Sequence, residues 1–145
     1  KNKEIPEVMV CEYLPGDEIT VDCIVNENNI VTLIRKRTEM RDGISIAGEF
    51  IIDEDIENYV HLILKQLPGV YGPIGFQFKK SENGVYKILE SNPRLQGTSV
   101  AAAALDYNYP YQCLRLLSCN SFTPPLIREG YSFRRYYSEV FYESK

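Results

Sequence analysis

The sequence predicts an α+β fold in which an antiparallel β-sheet is backed by helices. Three observations predict it. Short runs rich in β-branched residues follow one another with turn chemistry between them, one longer run in their midst repeats its apolar residues at helical spacing, and an Asn-Gly pair joins two strand-like runs. At 145 residues the chain has the size of one domain, and 44% hydrophobic with 25% charged residues exclude disorder and collagen-like structure.

Taken in order, Glu7 to Leu14 is apolar and β-rich, Pro15-Gly16-Asp17 is turn chemistry, and Glu18 to Val25 alternates with β-branched residues, which together predict a hairpin. Asn26 to Asn29 gives a second turn. Ile30 to Thr38 gives a third strand bearing Arg35-Lys36-Arg37, so that the opening strands form a meander. After the loop Arg41-Asp42-Gly43, a short strand Phe50 to Ile52 leads to Asp53, a helix N-cap. Ile56, Val60, Ile63, Leu64 and Leu67 then recur on one helical face until Pro68-Gly69 stops the run. Ile74 to Lys80 and Val85 to Glu90 are strands joined through Asn83-Gly84, the favoured centre of a two-residue type I′ turn because both positions need positive φ. Thr98 to Leu105 and Tyr111 to Leu117 read as helices, the first with Ala side chains that permit close packing. Ser118 to Gly130 reads as a loop, and Tyr131 to Tyr142 as a strand covering the sheet edge, its tyrosines packing the tail.

Sixteen Lys and Arg against twenty Asp and Glu give a net charge of -4, which argues against general nucleic-acid binding and leaves room for a small basic site. Cys11, Cys23, Cys113 and Cys119 lack C-x-x-C spacing and mostly have apolar neighbours, so buried reduced thiols and a cytoplasmic setting are expected. No apolar stretch approaches the roughly 20 residues of a membrane span, and no partner membrane or nucleic acid is expected. His61, the only histidine, sits between packing positions of the helix as an ordinary, partly exposed residue. Zinc-ligand spacing and a G-x-x-x-x-G-K-[ST] loop are missing from the sequence. The first Met is Met9, and Lys1-Asn2-Lys3 runs almost at once into an apolar segment, so a fragment of something longer is expected.

The hairpin carries the chemistry. With Asn83 and Gly84 as its loop, Glu82 faces Val85 and Gln77 lands opposite Glu90, with Cβ atoms ~5 Å apart. Alternation keeps Asn92 and Arg94 on the Glu90 side and turns Phe76, Phe78 and Leu89 to the core. Two amides and a carboxylate with an arginine beside them suit a divalent cation bound to a polyphosphate. By themselves they also read as the solvated polar face of an ordinary hairpin. Arg35, Arg37 and Arg41 read either as the lining of an acidic-substrate pocket or as the polar side of a strand and its loop.

Leu89-Glu90-Ser91-Asn92-Pro93-Arg94 resembles the Glu-x-Asn-Pro-Arg segment that ends the last strand of the nucleotide site in the ATP-grasp superfamily. Gly75-Phe76-Gln77-Phe78, with Gln as the first metal position, is most similar to the large chain of carbamoyl phosphate synthetase. The resemblance implies that Gln77, Glu90 and Asn92 are ligands of Mg2+, or of Mn2+ in its place, and that Arg94 is the phosphate contact and catalytic residue. Cys11-Glu12-Tyr13-Leu14 looks like the hinge that holds adenine, implying the Glu12 carbonyl and the Leu14 amide as contacts. Glu18, in Gly16-Asp17-Glu18-Ile19, resembles the ribose-binding acid. Without the resemblance, Glu12 is a solvent-facing strand residue and Glu18 the first residue of a hairpin strand. Gly43-Ile44-Ser45 resembles a loop near the ribose and phosphates, with Ser45 where the synthetase has His, and Gly97 stands where the synthetase has a second arginine.

The resemblance covers about Glu7 to Leu117, the C-terminal half of an ATP-grasp domain, with 118–145 as loop and tail. It implies an ATP-dependent ligase that phosphorylates a small carboxylate or a bicarbonate-like substrate to an acylphosphate. An N-terminal half of the same protein would supply the phosphate-binding lysine and glycine-rich loop, so the fragment alone is expected to be inactive. The alternative is a non-catalytic nucleotide-binding or scaffolding module derived from the same domain.

Overall fold

The computed structural model describes residues 7–127 and 130–143. Lys1-Asn2-Lys3, and positions 128–129 of the expected 118–130 loop, lie outside the described residues. Six strands form one antiparallel sheet: β1 Glu18–Val25, β2 Ile30–Arg41, β3 Ile44–Ile51, β4 Gly72–Lys80, β5 Tyr86–Asn92 and β6 Ser132–Arg134, in the order β5-β4-β1-β2-β3-β6. Helices α1 Glu54–Gln66 and α2 Tyr109–Cys119 and a 3-10 turn Ser99–Leu105 complete the α+β fold. No described helix is long and apolar enough to cross a membrane.

β1 is the centre of the sheet, with β2 on one edge and β4 on the other. That occupancy overturns the first expected hairpin. Glu7 to Leu14 forms no strand, because both edges of its intended partner are already paired. Val8, Met9, Val10 and Tyr13 are exposed and only Leu14 is buried. The turn after it is anchored to β4 instead, through Gly16 N–H to the Lys80 carbonyl at 3.0 Å and Lys80 N–H to the Asp17 carbonyl at 3.1 Å.

Alternation along β1 sends Ile19, Val21, Cys23 and Val25 to one face. There they join Ile34, Ile74, Phe76 and Phe78 under Ile56, Val60 and Leu64 of α1. Asp53 caps this helix, its carboxylate accepting from Ile56 N–H at 3.1 Å, and acids fill the first turn with Lys65 in the last, matching the helix dipole. Leu67 falls off the packed face and is exposed. The second Asp53 oxygen accepts from the Tyr86 hydroxyl at 2.8 Å, tying β5 to the helix start. Burial, then that carboxylate, pushes the Tyr86 hydroxyl well above its ordinary pKa.

The other face is divided. Its lower half, with Ile24, Leu33 and Phe50, is covered by Ala102, Leu105, Tyr107, Tyr109 and Leu116. The Ala-rich run packs as expected but winds as a 3-10 helix, and Asn108 caps α2 by accepting from Tyr111 N–H at 3.0 Å. The upper half, with Glu18, Thr20 and their neighbours, stays polar.

β3 is longer than the expected Phe50 to Ile52, because Asp42-Gly43 is no open loop. Both residues have positive φ, 50° and 76°, and Arg41 pairs directly with Ile44, as a two-residue type I′ hairpin requires. Asn83 does not take positive φ; only Gly84 does, at 77°. Ser81 N–H donates to the Val85 carbonyl at 2.8 Å and Gly84 N–H to the Ser81 carbonyl at 2.9 Å, which is a three-residue loop with a glycine bulge. The expected Tyr131 to Tyr142 strand is present only as β6, and Tyr136, Tyr137 and Tyr142 are exposed rather than packed.

The cysteines are all unpaired, but only Cys23 is fully buried; Cys113 is half-buried, and Cys11 and Cys119 are exposed. Burial, with Asp22 and Glu57 nearby, holds the Cys23 thiol well above its ordinary pKa. Alkylation of the native protein at neutral pH, read by peptide mass spectrometry, is expected to modify Cys11 and Cys119 and to spare Cys23 until denaturant is added.

Candidate functional site

The β4-β5 hairpin sets Gln77 opposite Glu90, as expected, but by a different route. The three-residue loop places Phe78 opposite Ile88, one residue out of the register that a two-residue turn would give. A bulge between Phe78 and Gln77 then leaves Leu89 without a partner and returns Gln77 to Glu90. Leu89 is accordingly 47% exposed and not core, whereas Phe76 and Phe78 are fully buried as expected. The bulge thus aims the Glu90 carboxylate onto the polar face.

There the side chains form one hydrogen-bonded chain. The Gln77 amide nitrogen and the Asn92 amide nitrogen, the latter at 2.8 Å, both donate to Glu90 Oε1. Asn92 Oδ1 accepts from Arg94 Nη2 at 3.4 Å, and Arg94 Nη1 donates to the Leu95 carbonyl at 3.0 Å. Gln77 Oε1 accepts from Arg37 Nη1 at 3.1 Å, and the same Arg37 nitrogen pairs with Glu18. Arg37 also donates from Nε to Ser45 Oγ at 3.2 Å and from Nη2 to the Gly43 carbonyl. This guanidinium gathers Glu18, Gln77 and the Gly43–Ser45 hairpin end, three places that lie far apart in the sequence.

Of the residues implied by resemblance, Gln77, Glu90, Asn92 and Arg94 are therefore joined directly, and Glu18 through Arg37. Glu12 reaches the same region only loosely, its carboxylate 3.7 Å from Lys87 Nζ on β5, and Leu14 is buried beneath the turn. Arg35 does not line an open pocket. It is 1% exposed, paired with Asp22, and donates to Thr98 Oγ1. Arg41 is exposed at the hairpin end.

Among the described residues no group of three or more His, Cys, Asp or Glu is placed to hold a metal. A cation here would rest on one carboxylate and two amide oxygens, with further oxygens from a phosphate, which is the sparse, hard donor set that Mg2+ accepts. The two amide N–H groups converge on Glu90 Oε1, and a half-turn of each amide would bring its oxygen beside that carboxylate in exchange for the hydrogen bond the oxygen accepts from Arg37 or Arg94. The residues present fit Mg2+ or Mn2+.

Sequence reasoning missed Gln96. A Cβ on Gly75 would lie 2.0 Å from Gln96 Nε2, so glycine in β4 is what lets this buried side chain lie against the sheet. A glycine beside Phe76-Gln77 was the only signal in the sequence. Gly75→Ala is expected to displace Gln96 and to cost about 1–3 kcal/mol in chemical denaturation, the usual range for overpacking.

A family model described as ATP-grasp in the biosynthetic pathway with Ter operon matches residues 4–135. No curated protein matches the sequence. Among solved structures, the chain resembles N5-carboxyaminoimidazole synthetase from Staphylococcus aureus, with TM-score 0.64 and 19% identity over 77% of this chain and 32% of that one. The same enzyme also matches in its complex with ADP. The biotin carboxylase domain of a thermophilic 2-oxoglutarate carboxylase bound to bicarbonate matches with TM-score 0.64 and 16% identity, over 83% of this chain and 30% of that one. L-amino acid ligase from Bacillus licheniformis matches with TM-score 0.56 and 14% identity, over 72% and 30%. At these identities the likeness concerns fold, and the chain spans about a third of the length of the structures it matches.

Proposed function

Because this chain belongs to the ATP-grasp family, we propose that it is the C-terminal, ATP- and Mg2+-binding half of a carboxylate-activating ligase whose N-terminal half completes the nucleotide site. The observation that carries the reading is the single hydrogen-bonded run Gln77–Glu90–Asn92–Arg94 on the polar half of one sheet face.

In this reading Gln77, Glu90 and Asn92 hold the cation and Arg94 contacts the phosphate. A cation held by them would neutralise charge on the phosphate oxygens. Arg94, a planar donor without an acidic partner in its hydrogen bonds, spreads the charge of the transferring phosphoryl group. The acceptor's carboxylate oxygen bonds to the γ-phosphorus as the bond to the β,γ-bridging oxygen breaks, and the electron pair leaves with ADP. A nucleophile such as an amine then adds to the acylphosphate carbonyl, loses a proton and expels phosphate. Glu12 and Leu14 offer the adenine contacts through their main chain, and Glu18 the ribose contact once Arg37 shares it.

Gln77 supports a carbamoyl phosphate synthetase-like metal site, while Gly97, in place of the second arginine, leaves the acceptor side of that enzyme unmatched. Calorimetry of the full-length protein with Mg-ATP tests the reading: saturable binding that needs the divalent cation is expected, and no binding would sink it.

A further inference from the structure

Between the polar face and the segment after Asn92 lies a cavity of about 230 Å3, lined by Thr20, Arg37, Gln77, Arg94, Gln96 and Arg135 among others. Three guanidinium-bearing residues meet there, and no acidic residue is among the described residues lining it. Arg37 already has Glu18 as a counter-ion, but Arg94 and Arg135 donate to neutral oxygens, Arg135 Nη2 to the Gly97 carbonyl at 2.9 Å. Gln96 is only 7% exposed and its Nε2 has no hydrogen-bond partner. Two guanidiniums without an acidic partner among the described residues, beside an unused buried donor, call for an anion with several acceptor oxygens.

Arg135 reaches the cavity because β6 docks on β3. Phe133 lies over Gly48, where a Cβ would come within 2.8 Å of its ring, and stacks at a tilt on Phe50 with ring centroids 6.3 Å apart. Arg135 N–H then donates to the Ile46 carbonyl at 2.8 Å. On the far side of Arg135 and Ile44 a second hollow, about 430 Å3, is lined by Ile46, Tyr136 and Tyr137 together with Arg41 and the Glu39–Arg134 ion pair. The inner cavity has room for a charged head group and the outer one offers apolar and aromatic surface.

We propose that these two hollows form the acceptor site, with Arg135 anchoring the acceptor's carboxylate, and that the acceptor is a carboxylic acid on an apolar or aromatic body with no ammonium beside the carboxylate. The proposal rests on the ATP-grasp reading above. An α-ammonium beside a carboxylate held in the inner cavity would sit among three guanidiniums, with no acid among the described residues that line that cavity, which disfavours α-amino acids. The tail residues thereby select the substrate, whereas Arg94 serves the phosphate.

The test is calorimetry of the full-length protein saturated with Mg-ADP, using phenylacetate, phenylacetamide, phenylalanine and acetate as probes. Phenylacetate is expected to bind at least about tenfold more tightly than the other three: than phenylacetamide by the value of a charge-assisted hydrogen bond, than acetate by the burial of its ring, and than phenylalanine by the missing ammonium. Arg135→Ala is expected to erase its advantage over the amide while leaving Mg-ADP affinity unchanged. Phe133→Ala, which loosens β6, is expected to do the same. Phenylacetate binding no more tightly than phenylacetamide would overturn the proposal. So would an equal loss of Mg-ADP affinity in Arg135→Ala, which would assign the anion to the nucleotide's phosphate. A wild-type protein that does not bind Mg-ADP at all would instead overturn the nucleotide reading on which the proposal rests.

Discussion

Glu90→Gln in the full-length protein is expected to cut Mg-ATP-dependent turnover by at least about 10²–10³-fold, the effect of removing one well-placed electrostatic group, with stability unchanged to within about 0.5 kcal/mol. The substitution keeps the shape of the side chain and removes the only carboxylate in the run. Glu90 is exposed on the edge strand, so little packing depends on it. Its Oε1 accepts from both Gln77 and Asn92, and an amide in its place keeps an acceptor oxygen while carrying no charge for a cation. ADP release and the melting temperature, measured side by side, check both halves of the prediction. Unimpaired turnover would remove Glu90 from the metal site. A protein that binds Mg-ATP but turns nothing over even in its wild-type form would favour the non-catalytic module.

Arg35→Met is expected to destabilise the fold by about 3–5 kcal/mol, because it strands a buried carboxylate. Asp22 and Arg35 have side chains 2% exposed each, and Arg35 also ties β2 to Thr98 at the start of the 3-10 turn. Asp22 Oδ1 and Arg35 Nε lack partners, so the pair is incompletely satisfied, and the double variant Asp22→Leu/Arg35→Met is expected to cost less than Arg35→Met alone. Urea denaturation of the single and double variants measures both; equal losses would show that the stranded Asp22 carboxylate costs nothing.

The pH dependence has a definite sign. Burial raises the Asp22 pKa above 3.8 against the pull of Arg35, so the folded state holds this proton more tightly than the unfolded chain. Stability from that protonation is full below the unfolded pKa and is lost as pH rises through the folded one. Removing Arg35 lifts the folded pKa further, so the deficit of Arg35→Met is expected to shrink as pH falls.

Much of the fold was legible because its signals are local. The α1 face, its Asp53 cap and its Pro68-Gly69 stop follow from spacing and from the hydrogen-bonding needs of a helix end. β1 was legible because alternation is written residue by residue. The Gln77–Glu90 pairing was reached through compensating errors, a two-residue turn that does not form and a bulge that restores its register. Asp42-Gly43, the turn that does form a type I′ hairpin, carries the same kind of signal as Asn83-Gly84, and local preference could not rank the two.

The sequence by itself determined the α+β class, the helix and strand faces, and the residues Gln77, Glu90, Asn92 and Arg94 as one candidate site, because each depends on neighbours a few positions away or across a single hairpin. Only the tertiary structure decided the rest. It put β1 at the centre and so left Glu7 to Leu14 without a partner, buried Arg35 while opening Arg37 to the site, and brought Arg135 back across the sheet beside Gln96. Those outcomes depend on which strand edge is already taken and which charge finds its counter-ion, and both are settled by contacts between residues far apart in the chain.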